Sequence, residues 1–243
     1  MRSPRLYLAA DLESGATVVL PEDRLHYLTR VLRLEPDEGL VVFNGQGGYY
    51  PAQLIRDNRS HYQLQLGIRQ EEERESPLIV HLALGLSRGE RMDFALQKAT
   101  ELGVASFYPL ITERSVVNIQ GDRLERRMAH WQGIVSGACE QCGRNRLPLL
   151  HPLQTLARFL DTPAPGIGLL LDPREGTALK DLTPSAEPIT LLVGPEGGLA
   201  PQERDSARCA GFRGLRLGPR VLRTETAPLA ALAALQALWG DMG

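Results

Sequence analysis

The sequence lacks the features that would place it outside a reducing, aqueous compartment. Its 243 residues include three cysteines, Cys139, Cys142 and Cys209, too few for the disulfide framework of a small secreted domain. No positively charged start leads into an apolar signal core, and no apolar run approaches the roughly 20 residues of a membrane span. The chain therefore reads as cytoplasmic, with no membrane among its partners. An excess of positive charge is missing as well: 27 Lys and Arg against 29 Asp and Glu leave a formal net charge of -2. Nucleic acid can then be met only by a local basic patch. No Gly-x-Gly-x-x-Gly follows a predicted strand and no Gly-x-x-x-x-Gly-Lys-Ser/Thr occurs, which excludes the usual dinucleotide and triphosphate cradles. No Gly-x-Ser-x-Gly offers a nucleophile elbow. Metal is also poorly served. Cys139-Glu140-Gln141-Cys142 has no second pair at finger spacing, and only Cys209 and His151 remain as loose ligands. The same pair sits at the predicted C-terminal end of a helix, where the dipole disfavours a thiolate.

What is present suits globular cores, with 43% hydrophobic residues. Short alternating segments at residues 18–20, 40–44, 49–55 and 62–68, separated by Asn44-Gly45, Gly47-Gly48 and Asp57-Asn58, predict a compact antiparallel β unit. Residues 21–34 predict a helix opened by Pro21, with Leu25, Leu28 and Leu32 along one face. His26, Arg30 and Arg33 recur at i, i+4 and i+7 on another. With Arg2 and Arg5 nearby they form either a solvated face or a phosphate-contacting patch. Residues 69–77 are charged, end in Pro77 and carry no apolar side chain, which predicts a linker. The domain boundary accordingly falls between a β domain at 1–72 and a second domain at 73–243.

Beyond it the texture becomes α/β. Strands are expected at residues 78–84, 104–111, 167–172, 189–193 and 213–217. Helices are expected from Ser87, which has Glu90 at capping-box spacing, and at 122–142, 201–210 and 226–239. Strands alternating with helices imply a mainly parallel sheet covered on both faces. The final helix is apolar almost all round, so it must be buried or lie at a subunit interface.

Two loops of this domain point to chemistry. Gly194-Pro195-Glu196-Gly197-Gly198 follows a strand and offers backbone N–H and C=O groups with one polar side chain, Glu196. Leu217-Gly218-Pro219-Arg220-Val221-Leu222-Arg223-Thr224-Glu225-Thr226-Ala227 crowds hydrogen-bonding groups between a strand and a helix. Open α/β sheets bind ligands beyond the carboxyl ends of their strands, where both loops lie. A tight turn and a helix cap are the plainer account of either loop alone.

These two loops, preceded by Ser87-Arg88-Gly89-Glu90-Arg91 and Cys139-Glu140-Gln141-Cys142-Gly143-Arg144-Asn145-Arg146, resemble the RsmE family of ribosomal RNA methyltransferases in the SPOUT superfamily. The resemblance covers essentially the whole chain. It implies a small PUA-like β-barrel domain, a SPOUT-type α/β domain with a C-terminal trefoil knot, a homodimer, and transfer of a methyl group from S-adenosyl-L-methionine to N3 of one uridine in 16S rRNA of the 30S subunit. It places the cofactor at Leu170, Leu171, Gly194, Pro195, Gly197, Gly198, Leu217, Gly218, Leu222 and Thr224, with the Gly197-Gly198 turn allowing close approach. Arg223 or Arg220 can stabilise the uridine anion as it forms, and Glu196 or Glu225 can accept its proton or merely pair with those arginines. Arg88, Arg91, Arg144 and Arg146 would add phosphate contacts. Two competing readings are a non-catalytic RNA-binding dimer and a SPOUT methyltransferase acting on tRNA or on a ribose 2'-OH.

Overall fold

Residues 3–56, 62–115, 121–162, 166–183 and 186–243 are described by a computed structural model of the chain. They form two units, Met1–Glu75 with Cys139–Leu147, and Ser76–Ala138 with Pro148–Gly243. The Asp57-Asn58 turn and Arg2 lie outside the described residues.

In the first unit, β1 (Arg5–Tyr7), β2 (Thr17–Val19), β3 (Gly39–Phe43), β4 (Tyr50–Arg56) and β5 (Tyr62–Leu66) make one sheet in the order β1-β3-β4-β5-β2. Alternation decides which face is inside: Tyr50, Ala52 and Leu54 of β4 and Leu64 and Leu66 of β5 are buried while their neighbours face outward. The sheet is not wholly antiparallel. β1, three residues long and too short to show a periodicity, pairs parallel with β3. The helix expected at 21–34 begins after Pro21 as α1 (Glu22–His26) and then widens into a π turn over Tyr27–Val31, with Leu32 N–H bonded to the Tyr27 carbonyl at 3.0 Å. An i+5 bond adds a residue to the turn. The i, i+4, i+7 face therefore does not carry through it, and Arg33 lies past the helix at φ +54.

Residues 69–75 are tied down rather than left as a solvated linker. Gln70 bridges to Tyr49, Glu73 accepts the Gly48 N–H at 2.7 Å, and the Glu75 carboxylate takes Nε and Nη2 of Arg144 at 3.0 and 2.5 Å. Asn145 donates to the Glu72 carbonyl and accepts from Arg5. A charged stretch reads as solvent-loving until its partners, 25 positions away for Gly48 and 73 for Asn145, are known.

The second unit contains β6 (Val80–Gly85), α2 (Glu90–Glu101), β7 (Ser106–Ile111), α3 (Asp122–Cys142, whose last turn belongs to the first unit), β8 (Leu149–Leu150), β9 (Gln154–Thr155), α4 (Leu156–Leu160), β10 (Ile167–Leu171), β11 (Thr177–Ala178), β12 (Ile189–Val193), α5 (Pro201–Cys209), β13 (Arg213–Arg216) and α6 (Thr226–Trp239). The sheet is parallel in the order β11-β13-β10-β12-β6-β7-β8, with β9 also on β7. Period-two alternation sorts side chains between two layers. Leu169, Leu191, Val193 and Leu215 pack with Met92, Leu96, Trp131, Leu232 and Leu235 of α2, α3 and α6. Leu170 and Leu192 pack on the other side with Phe159, Ala207 and Phe212 of α4, α5 and the turn after it. β12 is buried along its whole length, which explains why it reads as a continuous apolar run.

Helix α2 does not start where the capping-box spacing put it. Its N-cap is Gly89 at φ +58, Glu90 is already helical, and Ser87 turns its hydroxyl to other work. β13 lies beside β10 on the side away from β12, so the chain crosses the end of β10 between the two glycine-containing loops.

Candidate functional site

Three loops leave the carboxyl ends of the adjacent strands β13, β10 and β12, and between them is a cleft of about 530 Å³. That volume lies within the roughly 300–1,000 Å³ of small-molecule sites. One wall is residues 194–198 after β12, a second is 217–225 after β13, and the floor is Leu171, Asp172, Pro173 and Arg174 after β10. Such crevices at the strand ends of an open parallel sheet are its natural ligand positions.

The glycine loop is held from all sides by named bonds. Gly198 N–H closes a turn on the Pro195 carbonyl at 2.8 Å, and Gly198 sits at φ +66, a region costly for any side chain. At Gly194 a Cβ would stand 2.8 Å from the Leu199 nitrogen, too close for a real atom. Gly197, by contrast, is less constrained: a Cβ there meets the Cβ and Cδ of Arg114 at 3.3 Å, a tight contact relieved by a shift of a few tenths of an ångström. Within the loop, Gly194 is thus the glycine whose Cβ would collide with backbone, and Gly198 the one that a positive φ requires. Thr224 Oγ1 donates to the Gly194 carbonyl at 2.8 Å and lies 3.4 Å from Ser87 Oγ, bracing both loops on the end of β6. Arg114 Nη1 donates to the Gly197 carbonyl at 2.8 Å.

Charge is organised around Arg91. Glu196 Oε1 accepts the Arg88 N–H at 2.9 Å and Arg91 Nη1 at 2.7 Å. Partial burial pushes this carboxyl up, but the Arg88 and Glu196 N–H groups and the Arg91 guanidinium outweigh it, and the net is a group held below the usual carboxylate range. Glu196 is a clamp that stays ionised. Glu225, the N-cap residue of α6, has Oε2 3.9 Å from Arg91 Nε, an ion-pair distance but beyond a hydrogen bond.

The profile of the family described as RNA methyltransferase domain matches residues 74–236, and that described as RNA methyltransferase PUA domain matches 20–67. Relatives named ribosomal RNA small subunit methyltransferase E include one from Synechocystis, 39% identical with 96% of this chain and 77% of that one covered, and one from Buchnera aphidicola of Schizaphis graminum, 32% identical over 99% and 98%. The chain belongs to this RNA methyltransferase family. Among solved structures, the ribosomal RNA small subunit methyltransferase E of Neisseria gonorrhoeae, bound to S-adenosyl methionine, is 41% identical with full coverage of both chains and a TM-score of 0.92. A putative methyltransferase of Legionella pneumophila, in complex with the bound cofactor SAM, is 39% identical over 99% of this chain and 100% of that one, also at 0.92.

Within this member of the methyltransferase family, the cleft brings together most residues expected to form it. Leu171, Gly194, Pro195, Gly197, Gly198, Leu217, Gly218, Leu222 and Thr224 line it, as do Arg220, Arg223, Glu196, Glu225 and Arg91. Leu170 does not, since its side chain packs in the α4–α5 layer. Asp172, Arg174 and Val193 also line the cleft and went unread in the sequence. Their one signal was position: a predicted strand ending in Asp172-Pro173 beside the glycine loop.

The other arginines divide by environment. His26, Arg30, Arg33 and Arg88 are exposed. Arg146 is half-exposed opposite Glu73 at 3.5 Å. Arg144 is buried on Glu75, and Arg5 stacks 4.9 Å over the Phe43 ring and donates to the Arg144 carbonyl, so both build the first unit instead of presenting charge outward. Burial pushes the Cys139 thiol up to about 12, the reverse of an activated cysteine. Among the described residues no group of three or more His, Cys, Asp or Glu could hold a metal ion, and no helix is long and apolar enough to cross a membrane.

Proposed function

We propose that this protein transfers a methyl group from S-adenosyl-L-methionine to N3 of one uridine in 16S rRNA, presented free or within the 30S subunit. The observation that carries the reading is the cleft itself: a glycine loop whose shape leaves no space for a side chain at Gly194, at the ends of three parallel strands, in a chain alike over its whole length to relatives solved with that cofactor. The cradle fits the group, because an adenosyl moiety is recognised by backbone donors and acceptors and apolar walls, here those of Gly194, Pro195, Leu217 and Leu222. Bound there, the cofactor supplies an electrophilic methyl group on a sulfonium. The residues of the chain do the rest. The loops braced by Thr224 and Glu196 hold donor and acceptor in line, which supplies much of the rate, and Arg220 and Arg223 at the rim stabilise charge developing on the uracil ring.

Residues 1–72 form the PUA-like part that holds RNA, through His26, Arg30 and Arg33, and 73–243, which add Arg146 to the phosphate contacts, form the methyltransferase part with the knotted C-terminal threading of its family. The working state is a cytoplasmic homodimer needing no metal. α6 supports the dimer, since Leu232 and Leu235 are buried within the chain while Leu238 on the same helix is 52% exposed. Calorimetry with S-adenosyl-L-methionine, followed by mass mapping of 16S rRNA from a strain lacking the gene with and without added protein, tests the reading. Absence of specific cofactor binding, or a methyl group found on tRNA or a ribose oxygen, would overturn it. Light scattering tests the dimer.

A further inference from the structure

Among the described residues lining the cleft, one buried acceptor has no hydrogen-bond donor. Glu225 Oε2 is shielded from solvent and has no hydrogen-bond donor, with Arg91 Nε held off at 3.9 Å. The other polar groups lining the cleft are already engaged or of the wrong kind. Glu196 is committed to the Arg88 N–H and to Arg91, and Asp172 Oδ1 accepts the Arg174 N–H at 2.9 Å. Arg91 from α2, Arg174 after β10, and Arg220 and Arg223 on the same loop are cations that cannot take a proton. Thr224 donates to Gly194. A buried acceptor without a donor is costly in the free protein, so its place is explained by a donor that arrives with a ligand.

Resting on the proposed reaction, we propose that Glu225 is the general base, receiving the N3 proton of the uridine on Oε2. The N3–H bond breaks as its proton passes to Glu225, and the nitrogen lone pair forms the new bond to the methyl carbon. The carbon–sulfur bond breaks with its electron pair left on sulfur, giving a neutral thioether. Glu225 must shed that proton before the next turnover. Arg91, anchored through Glu196, stands 3.9 Å from the carboxylate, close enough to orient it and too far to occupy the acceptor with a hydrogen bond.

The test uses the full-length protein and 16S rRNA or 30S subunits lacking the modification, in single-turnover reactions at saturating cofactor. Glu225→Gln keeps the shape and cannot accept a proton. Its rate at pH 7 should fall at least about 100-fold and climb by about tenfold per pH unit towards the range where uridine N3 ionises unaided, while the native enzyme is flat there. Its cofactor affinity by calorimetry should stay within about twofold. Glu225→Asp, which keeps a titratable carboxylate, should lose less and retain the native pH profile. Three results overturn the assignment: a Gln variant within about threefold of native, a loss of rate that raised pH does not recover, or weakened cofactor binding with saturated turnover intact. Should the native protein itself leave uridine N3 unmethylated, the reaction is misread and the base assignment falls with it.

Discussion

Replacing Gly194 by alanine probes how the glycine loop keeps its shape. A Cβ there would stand 2.8 Å from the Leu199 nitrogen and 2.9 Å from the Gly198 carbonyl carbon, both backbone atoms that cannot swing aside. Overpacking of this kind costs about 1–3 kcal/mol, and the cost can emerge in two places. If the loop stays put, the folded state carries the strain, and Tm falls by about 2–4 °C for each kcal/mol in a chain of this size. If the loop moves, the ligand must restore it, and Kd for S-adenosyl-L-methionine rises by about 5- to 150-fold, a decade per roughly 1.4 kcal/mol. The neighbouring glycines calibrate the experiment. Gly198→Ala has open space but must hold φ +66, at about 1–2 kcal/mol, or 5- to 30-fold in Kd. Gly197→Ala meets Arg114 Cβ and Cδ at 3.3 Å, a contact that a shift of a few tenths of an ångström relieves, so both readouts should stay within about 0.5 kcal/mol of native. Calorimetry and thermal melts on the four proteins decide it. An alanine at 194 that changes neither Tm nor Kd, or a series in which 197 is the most damaging position, refutes the account of the loop.

Arg223→Ala should lower kcat by about 2.7–4 kcal/mol of transition-state stabilisation with cofactor affinity preserved, measured by single-turnover kinetics beside calorimetry; a rise in KM alone would contradict it. Arg30→Ala, at an exposed position, should weaken RNA binding and reduce the slope of log K against log salt by about 1 without altering chemistry on bound RNA. Arg144→Ala strands the Glu75 carboxylate within the first unit, and denaturant titration should register a loss of about 3–5 kcal/mol; a native midpoint with only weaker RNA binding would return Arg144 to the phosphate contacts. Acid should also destabilise the second unit through two imidazoles. Burial holds His81 and His151 below the ordinary histidine value, with His151 adding to the effect on His81. The unfolded chain therefore binds these protons first, and stability present above about pH 6.5 declines as pH falls below it. The urea midpoint should drop between pH 7.5 and 5.5, and less so in His151→Asn.

Where periodicity is long and unbroken, local sequence was enough. α3 carries an apolar stripe for six turns and α6 begins at a loop and ends at glycine, so their bounds follow from spacing; β12 announces itself as five buried β-formers in a row. The glycine loop and the arginine-threonine loop were legible because so few side chains, or so many polar ones, have no cheap structural reason to cluster. β1 was invisible because three residues carry no period, and the π turn at Tyr27–Val31 because an i+5 bond inserts a residue that no α template expects. Ser87 looked like a helix cap until Thr224, 137 positions away, claimed its hydroxyl. Partners so distant also decided the charged residues. Arg144 and Arg30 are alike in the sequence, yet Glu75 buries one and water surrounds the other. Which leucine of the Leu170-Leu171 pair meets the cleft depended on the face each takes, and strand alternation names two faces without saying which one opens on the cleft. The unpartnered oxygen of Glu225 is likewise a fact of three dimensions, because an acceptor is unmet only relative to everything that has been packed around it.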